Sequence, residues 1–247
     1  MTVTRRNHGQ GHSYTIDSEK VPGVTTILGA AMPKPALIEW AGKTTAAYAV
    51  DRWDELSELK PSKRLDVLNR ARFEERDAAA RRGTEVHRLG AALVAHEEVT
   101  VPEELAGHVE SYVDFLDTWE PKAILVEGVI ANRSVRYCGT VDLVAAMNGG
   151  NFLLDVKTAR SGIFPETALQ LCAYAHAEVY LEDGEERPMS ELSIERVAAV
   201  HVRADGWDLH EVSWGEDVWN YFRHLAWIAR RQEETKGWVG RAMGVPA

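Results

Sequence analysis

The most constraining feature of this chain is a pair of strand-like segments joined by Asn148-Gly149-Gly150. Asn-Gly supplies the positive φ angles of a tight hairpin turn. Tyr137 to Ala146 and Phe152 to Thr158 are therefore expected to run antiparallel, side by side. Each carries an acid within an apolar run: Asp142 in GTVDLV and Asp155 in LLDVKT. A carboxylate inside an apolar strand is costly unless it is paired or bound to a cation. The hairpin sets the two acids next to each other, and adjacent carboxylates repel unless a cation lies between them. Strand side chains alternate, so Asp155 and Lys157 share one face while Leu154 and Val156 turn to the core. Taken singly, Asp142 also fits a strand-end acid, and Asp155 with Lys157 an exposed ion pair. Taken together, they point to a metal site with an ammonium beside it.

The rest of the chain supplies a frame for that hairpin. SYTIDSEKVPG reads as a short hairpin turning at Asp17-Ser18, and a short helix starts near Thr25. Pro35 suits the first position of a helix that continues to about Trp53. Lys60-Pro61-Ser62 breaks it. Lys63 to Arg82 is rich in helix formers, Gly83 is expected to stop it, and a new helix capped by Thr84 runs to about His96. A further helix spans about Pro102 to Trp119. Ala123 to Ala131, Val197 to Val202 and Trp207 to Val212 read as strands. Pro165 to Tyr180 reads as a helix, and Val218, Phe222, Leu225 and Ala229 recur at the spacing of a closing one. The expected fold is α/β (mixed α+β), a central mixed sheet flanked by helices. The expected division is 1–83, an N-terminal hairpin and helical elaboration, and 84–247, the core, packed as one body.

Two more segments carry polar groups at telling positions. RRGTEVH places His87 one turn into its helix, and a neutral imidazole ligates transition ions beside carboxylates. QLCAY places Gln170 and Tyr174 four apart on one helix face, where both can bond a phosphate and the tyrosine can stack on a base. The plain alternatives are a surface histidine and the polar edge of an amphipathic helix.

Net charge is −10 with 28 Lys and Arg against 38 Asp and Glu. That argues against a uniformly basic nucleic-acid surface, but binding needs a local patch rather than a basic total. Arg72, Arg76, Arg81, Arg82 and Arg88 surround the His87 motif, and Arg160 follows the third strand. They are the expected basic path, with pairing to Glu74, Glu75 and Asp77 as the alternative. The eight tryptophans are read mainly as packing residues. No stretch of about 18 apolar residues spans a membrane, and no apolar segment marks secretion. A reducing, cytoplasmic setting follows, with Cys138 and Cys172 as buried thiols.

In this order and context, GTEVH, GTVDL, LLDVKT and QLCAY resemble the motifs of RecB-type nucleases in the PD-(D/E)XK superfamily. The likeness extends to the nuclease module of CRISPR-adaptation exonucleases and to phage-encoded exonucleases, whose opening resembles VPGVTTIL and KPALIEWA. The resemblance implies a restriction-endonuclease-like core and a Mg²⁺- or Mn²⁺-dependent deoxyribonuclease holding one or two ions. It implies His87, Asp142 and Asp155 as ligands, with the Val156 carbonyl as another. It implies Lys157 as the residue that orients water or stabilises charge, and Glu127 as a second-metal or supporting acid. It assigns Gln170, Tyr174, Arg82, Arg88 and Arg160 to DNA. The acid before x-Lys is often Glu in the family and is Asp155 here. Cluster-bearing members have a cysteine quartet, whereas this chain has Cys138 and Cys172 alone, so no iron–sulfur cluster is expected. The implied partners are DNA ends or single strands, with a second copy or a phage recombination protein as further candidates. A flap or branched-DNA endonuclease and a catalytically silent DNA-binding accessory module are the competing readings.

Overall fold

The computed structural model describes residues 2–9, 11–95 and 97–243, with the side chains of residues 75, 76, 79 and 233 left aside. In chain order its strands are β1 (Val3–His8), β2 (Gly11–Ile16), β3 (Glu19–Val21), β4 (Lys122–Asn132), β5 (Tyr137–Met147), β6 (Gly150–Lys157), β7 (Val179–Glu182), β8 (Glu185–Pro188), β9 (Arg196–Arg203) and β10 (Gly206–Glu211). Its α-helices are α1 (Val24–Ala31), α2 (Pro35–Asp51), α3 (Trp53–Ser57), α4 (Pro61–Val94), α5 (Ala106–Trp119), α6 (Glu166–Ala175) and α7 (Glu216–Thr235).

Seven strands form one mixed sheet in the order β10-β9-β6-β5-β4-β7-β8. Only β6 and β9 pair in parallel; the connection between them carries α6, β7 and β8. This is a mixed α/β architecture with a large sheet between helices. On one face, Leu153, Val197 and Ala199 pack under α1, α6 and α7, with Phe222 and Leu171 buried completely. On the other, Leu154, Val156 and Val200 pack under α5 and the end of α4, through Tyr112 and Phe115. Two apolar faces explain the nearly continuous hydrophobic run of β9 and the burial of both Leu153 and Leu154 in β6.

The turn at Asn148-Gly149 has φ of 46° and 81°, as its sequence requires. It sets the β5–β6 register from Met147↔Gly150 to Leu143↔Leu154. Asp142 and Asp155 are the next pair in that register, just where the paired ladder ends. Asp17 and Ser18, with φ of 52° and 68°, likewise turn β2 into β3. The expected hairpin is one part of a three-stranded sheet, because β1 pairs along all of β2. Val3, Tyr14 and Ile16 from this sheet pack on Ala131 and Cys138 of the large one.

Several expectations are corrected. Gly83 does not stop a helix: α4 runs unbroken for 34 residues through Gly83 and Thr84. Instead of capping, the Thr84 hydroxyl donates to the Ala80 carbonyl at 3.0 Å within the helix. A Cβ on Gly83 would meet Thr158 Oγ1 at 3.4 Å, an ordinary contact, so α4 passes beside the end of β6 at this point. The proposed boundary between 83 and 84 thus falls inside one helix. The expected end of that helix at His96 lies outside the described residues. The helix expected from Pro165 to Tyr180 runs only from Glu166 to Ala175, and Val179–Glu182 is a strand paired with β4. Among the tryptophans, Trp53, Trp227 and Trp238 are exposed rather than packed.

Candidate functional site

The two acids of the hairpin meet α4 on one side and α6 on the other. Where the β5–β6 ladder ends, the Val156 backbone N–H donates to Asp142 Oδ2 at 2.8 Å. His87, reaching in from α4, places Nδ1 3.2 Å from the same oxygen. The carboxylate therefore bridges a strand and a helix. Burial opposes ionisation of Asp142, but the His87 ring and the Val156 N–H outweigh it and hold its pKa low. Burial also opposes charge on His87, yet the neighbouring Asp142 carboxylate raises its pKa to about 9. The ring is therefore an imidazolium near neutral pH when no other cation is present.

Asp155 is almost wholly enclosed, at 1% exposure. Burial and the Asp142 charge raise its pKa, against the pull of Lys157. Lys157 Nζ stands 2.6 Å from Asp155 Oδ2. That contact is an ion pair without hydrogen-bond alignment, and Oδ2 has no aligned donor. Asp155 Oδ1 accepts from Gln170 Nε2 at 3.0 Å. Gln170 Oε1 in turn accepts from Lys157 Nζ at 3.1 Å. One amide thus fixes both the acid and the ammonium.

Tyr174 corrects the expectation of a base-stacking residue. It is buried, and its hydroxyl accepts from Gln170 Nε2 at 3.1 Å. Gly139 makes room for its ring, since a Cβ there would lie 2.5 Å from Tyr174 Cε1. The glycine of GTVD and the tyrosine of QLCAY are thus one packing unit that aims Gln170.

Glu127 lies nearer the centre than its supporting role implied. Its backbone adopts φ of 48° within β4, a left-handed conformation uncommon for a residue with a side chain. Atoms of His87, Glu127 and Asp142 all fall within 4.8 Å of one another, a preassembled trio of ligand groups. Desolvation and then the Asp142 charge raise the Glu127 pKa. His201, Asp208 and His210 are clustered comparably. There, Arg203 Nη1 already donates to Asp208 Oδ2 at 2.6 Å and lies 3.1 Å from His201 Nδ1, so that group holds an internal cation.

Of the expected basic path, Arg88 lines the cleft at the site. The Arg88 guanidinium is clamped by Glu85, with contacts of 2.7–3.2 Å. Arg72 lies over the Phe73 ring, 4.6 Å from its centre. Arg82 and Arg160 are exposed but do not line the cleft. The side chains of Arg76 and Glu75 lie outside the described residues. A cleft of about 1160 Å³ beside the trio and Lys157 is also lined by Arg5, Asn7 and His12. Reading the N-terminal segment only as a hairpin from Ser13 onward missed these residues. The alternation of Val3, Arg5 and Asn7 is the signal that could have revealed them. His201 was also missed. Buried on β9, it stands with Nε2 2.9 Å from the Ala159 carbonyl, anchoring the segment just after Lys157.

Among the described residues, no helix is long and apolar enough to cross a membrane. No protein-family model and no curated protein matches the chain. Among solved structures, one described as "Crystal structure of SSO0001" is similar at 16% identity and a TM-score of 0.33, over 53% of this chain and 61% of that one.

Proposed function

We propose that this chain is a metal-dependent DNA nuclease with a PD-(D/E)XK core, acting as an exonuclease on DNA ends in phage or bacterial recombination, repair or genome processing. The observation that carries the reading is the convergence of His87, Asp142, Asp155 and Lys157 at the open end of the β5–β6 ladder, with Gln170 holding the last two. The donor set fits a divalent cation: oxygen ligands with one imidazole suit Mn²⁺ and Mg²⁺. Asp155 Oδ2, buried and without an aligned donor, is the group such an ion would satisfy. His87, Glu127, Asp142, Asp155 and the Val156 carbonyl are the residues that would hold one or two ions.

When bound, the ion polarises a phosphate oxygen and lowers the pKa of water. The chain's own residues do the rest. Lys157 stands beside Asp155 with Gln170 fixing its ammonium, so its charge is directed at a phosphate or an attacking water. Tyr174 keeps Gln170 in place from the core side. Asp142 orients His87 through Nδ1. No iron–sulfur cluster is part of this proposal, and the proposed setting is the cytoplasm.

Purified protein is incubated with end-labelled linear DNA in Mn²⁺, Mg²⁺ or EDTA, beside Asp155→Ala and Lys157→Ala. The expected result is metal-dependent loss of label that both variants abolish. Intact DNA under every metal condition would overturn the reading. Circular single-stranded DNA is expected to survive; its cleavage would make the enzyme an endonuclease.

A further inference from the structure

We infer that Arg5 grips a backbone phosphate of the DNA opposite the carboxylates, so that the small N-terminal sheet forms the second wall of the cleft. This rests on the nuclease reading and adds to it a phosphate subsite built by a different part of the chain.

The first support is placement. Val3, Arg5 and Asn7 alternate along β1 and so share a face. Val3 is buried against the large sheet, which turns Arg5 and Asn7 toward the cleft. Asn7 pairs across the strand with His12, which lines the cleft too. The same cleft is lined by His87, Glu127, Asp142 and Lys157.

The second support is an unmet hydrogen-bonding requirement. Arg5 Nε is buried and has no hydrogen-bond partner among the described residues. Other arginines of this molecule are engaged: Arg88 by Glu85, Arg136 by Glu19, Arg133 by Asp17 and Glu186. A buried guanidinium nitrogen without an acceptor is costly. Its planar fork matches the paired oxygens of a phosphate.

The third support is rigidity. Tyr14, the cross-strand neighbour of Arg5, has its hydroxyl 2.8 Å from Thr140 Oγ1, two residues from Asp142. Val3 N–H donates to Glu186 Oε1 at 2.7 Å. The sheet is thus bolted to β5 and β8, and Arg5 is presented on a fixed surface.

The fourth is electrostatic need. A polyanion entering beside three carboxylates, on a chain of net charge −10, requires a cation facing them. Arg5 and Glu127 line the same cleft, which puts the guanidinium on the path a phosphate would take to the acids.

The test is fluorescence anisotropy of a labelled duplex in EDTA, which prevents turnover, measured at several salt concentrations. Arg5→Ala is expected to weaken binding about tenfold and to reduce the slope of log affinity against log salt by about one. Arg5→Lys is expected to restore most of the slope and part of the affinity. Arg6→Ala, on the outer face of the same strand, is expected to leave the inner-face subsite intact and Arg5→Gln to reproduce the loss should Arg5→Ala unfold. Wild-type affinity and slope in a folded Arg5→Ala or Arg5→Gln protein would overturn the inference. Loss of slope in those variants, with no metal-dependent cleavage by the wild type, would overturn the nuclease reading and leave the phosphate subsite standing. Failure of the wild type to bind DNA would overturn both.

Discussion

His87 and Asp142 meet at 3.2 Å across the junction of a helix and a strand, and the histidine holds a proton there that a divalent cation would have to displace. Its pKa is raised from 6.5 to about 9 in the folded protein. A raised folded-state pKa adds stability that is fully present below the unfolded value and is lost as pH rises through the folded one. In EDTA, the stability is therefore expected to fall between about pH 6.5 and 9, by an amount on the order of 2 kcal/mol, and the melting temperature with it. His87→Gln should flatten this window. Mn²⁺ should reverse the trend, because binding releases the proton and strengthens as pH rises. A melting temperature independent of pH across that window in the wild type would contradict the assignment.

Replacing Asp155 separates function from stability. Asp155→Asn keeps an oxygen for Gln170 while removing the repulsion from Asp142. In the absence of metal, the variant is expected to melt no lower than the wild type, and by up to a few degrees higher. Its metal-dependent cleavage should fall by more than about 100-fold. Thermal melts in EDTA and a label-release assay check the two halves independently.

Tyr174→Phe distinguishes support from stacking. Burial of the ring predicts unchanged DNA affinity and a modest loss of turnover, roughly two- to tenfold, as Gln170 loses one partner. A stacking role would instead cost about 1–3 kcal/mol of binding. Anisotropy titration beside kinetics decides between them.

Gly139→Ala probes the same unit from the other side. Its methyl group would press on the Tyr174 ring, and overpacking of this kind costs roughly 1–3 kcal/mol. A lower melting midpoint accompanied by a lower turnover number is the expected outcome. Adding Tyr174→Phe should not rescue it, because the clash is with a ring carbon rather than the hydroxyl.

Glu127→Gln tests whether the left-handed residue of β4 is a ligand. The Mn²⁺ concentration giving half of the maximal thermal shift is expected to rise about tenfold or more, with little change in the metal-free melt. An unchanged Mn²⁺ titration would confine Glu127 to the rim.

Much of this arrangement could be read from residue order because local rules decide it. Asn148-Gly149 dictates a tight turn, the turn dictates register, and register sets Asp142 beside Asp155. The apolar run of β9 likewise announced a buried strand, whereas β6, read with one core face through Leu154 and Val156, has Leu153 buried on the other face as well. Other features depend on partners distant in the chain. Gly83 is a helix breaker by local preference, but packing of α4 along the sheet overrides that preference. The pattern QLCAY offers Tyr174 as a polar group, and only the fold reveals that its ring fills the space left by Gly139. Clustered arginines near His87 suggested a basic path, yet Glu85 neutralises Arg88 locally. Arg5, which also lines the cleft, comes from a segment far away in sequence, and no periodicity near the acids could have announced it.

The attachment of the small sheet also bears on the order of assembly. β1 hydrogen-bonds to Glu186, 183 residues further along the chain, and Asp17 pairs with Arg133, 116 residues away. Such closures are slow, because a long loop loses its freedom before any contact rewards it. The acidic half of the cleft, by contrast, is nucleated by a two-residue turn. During folding the carboxylates should therefore come together first and the arginine wall arrive last, so an intermediate lacking the docked sheet would hold its acids in place while leaving a nucleic acid little to grip.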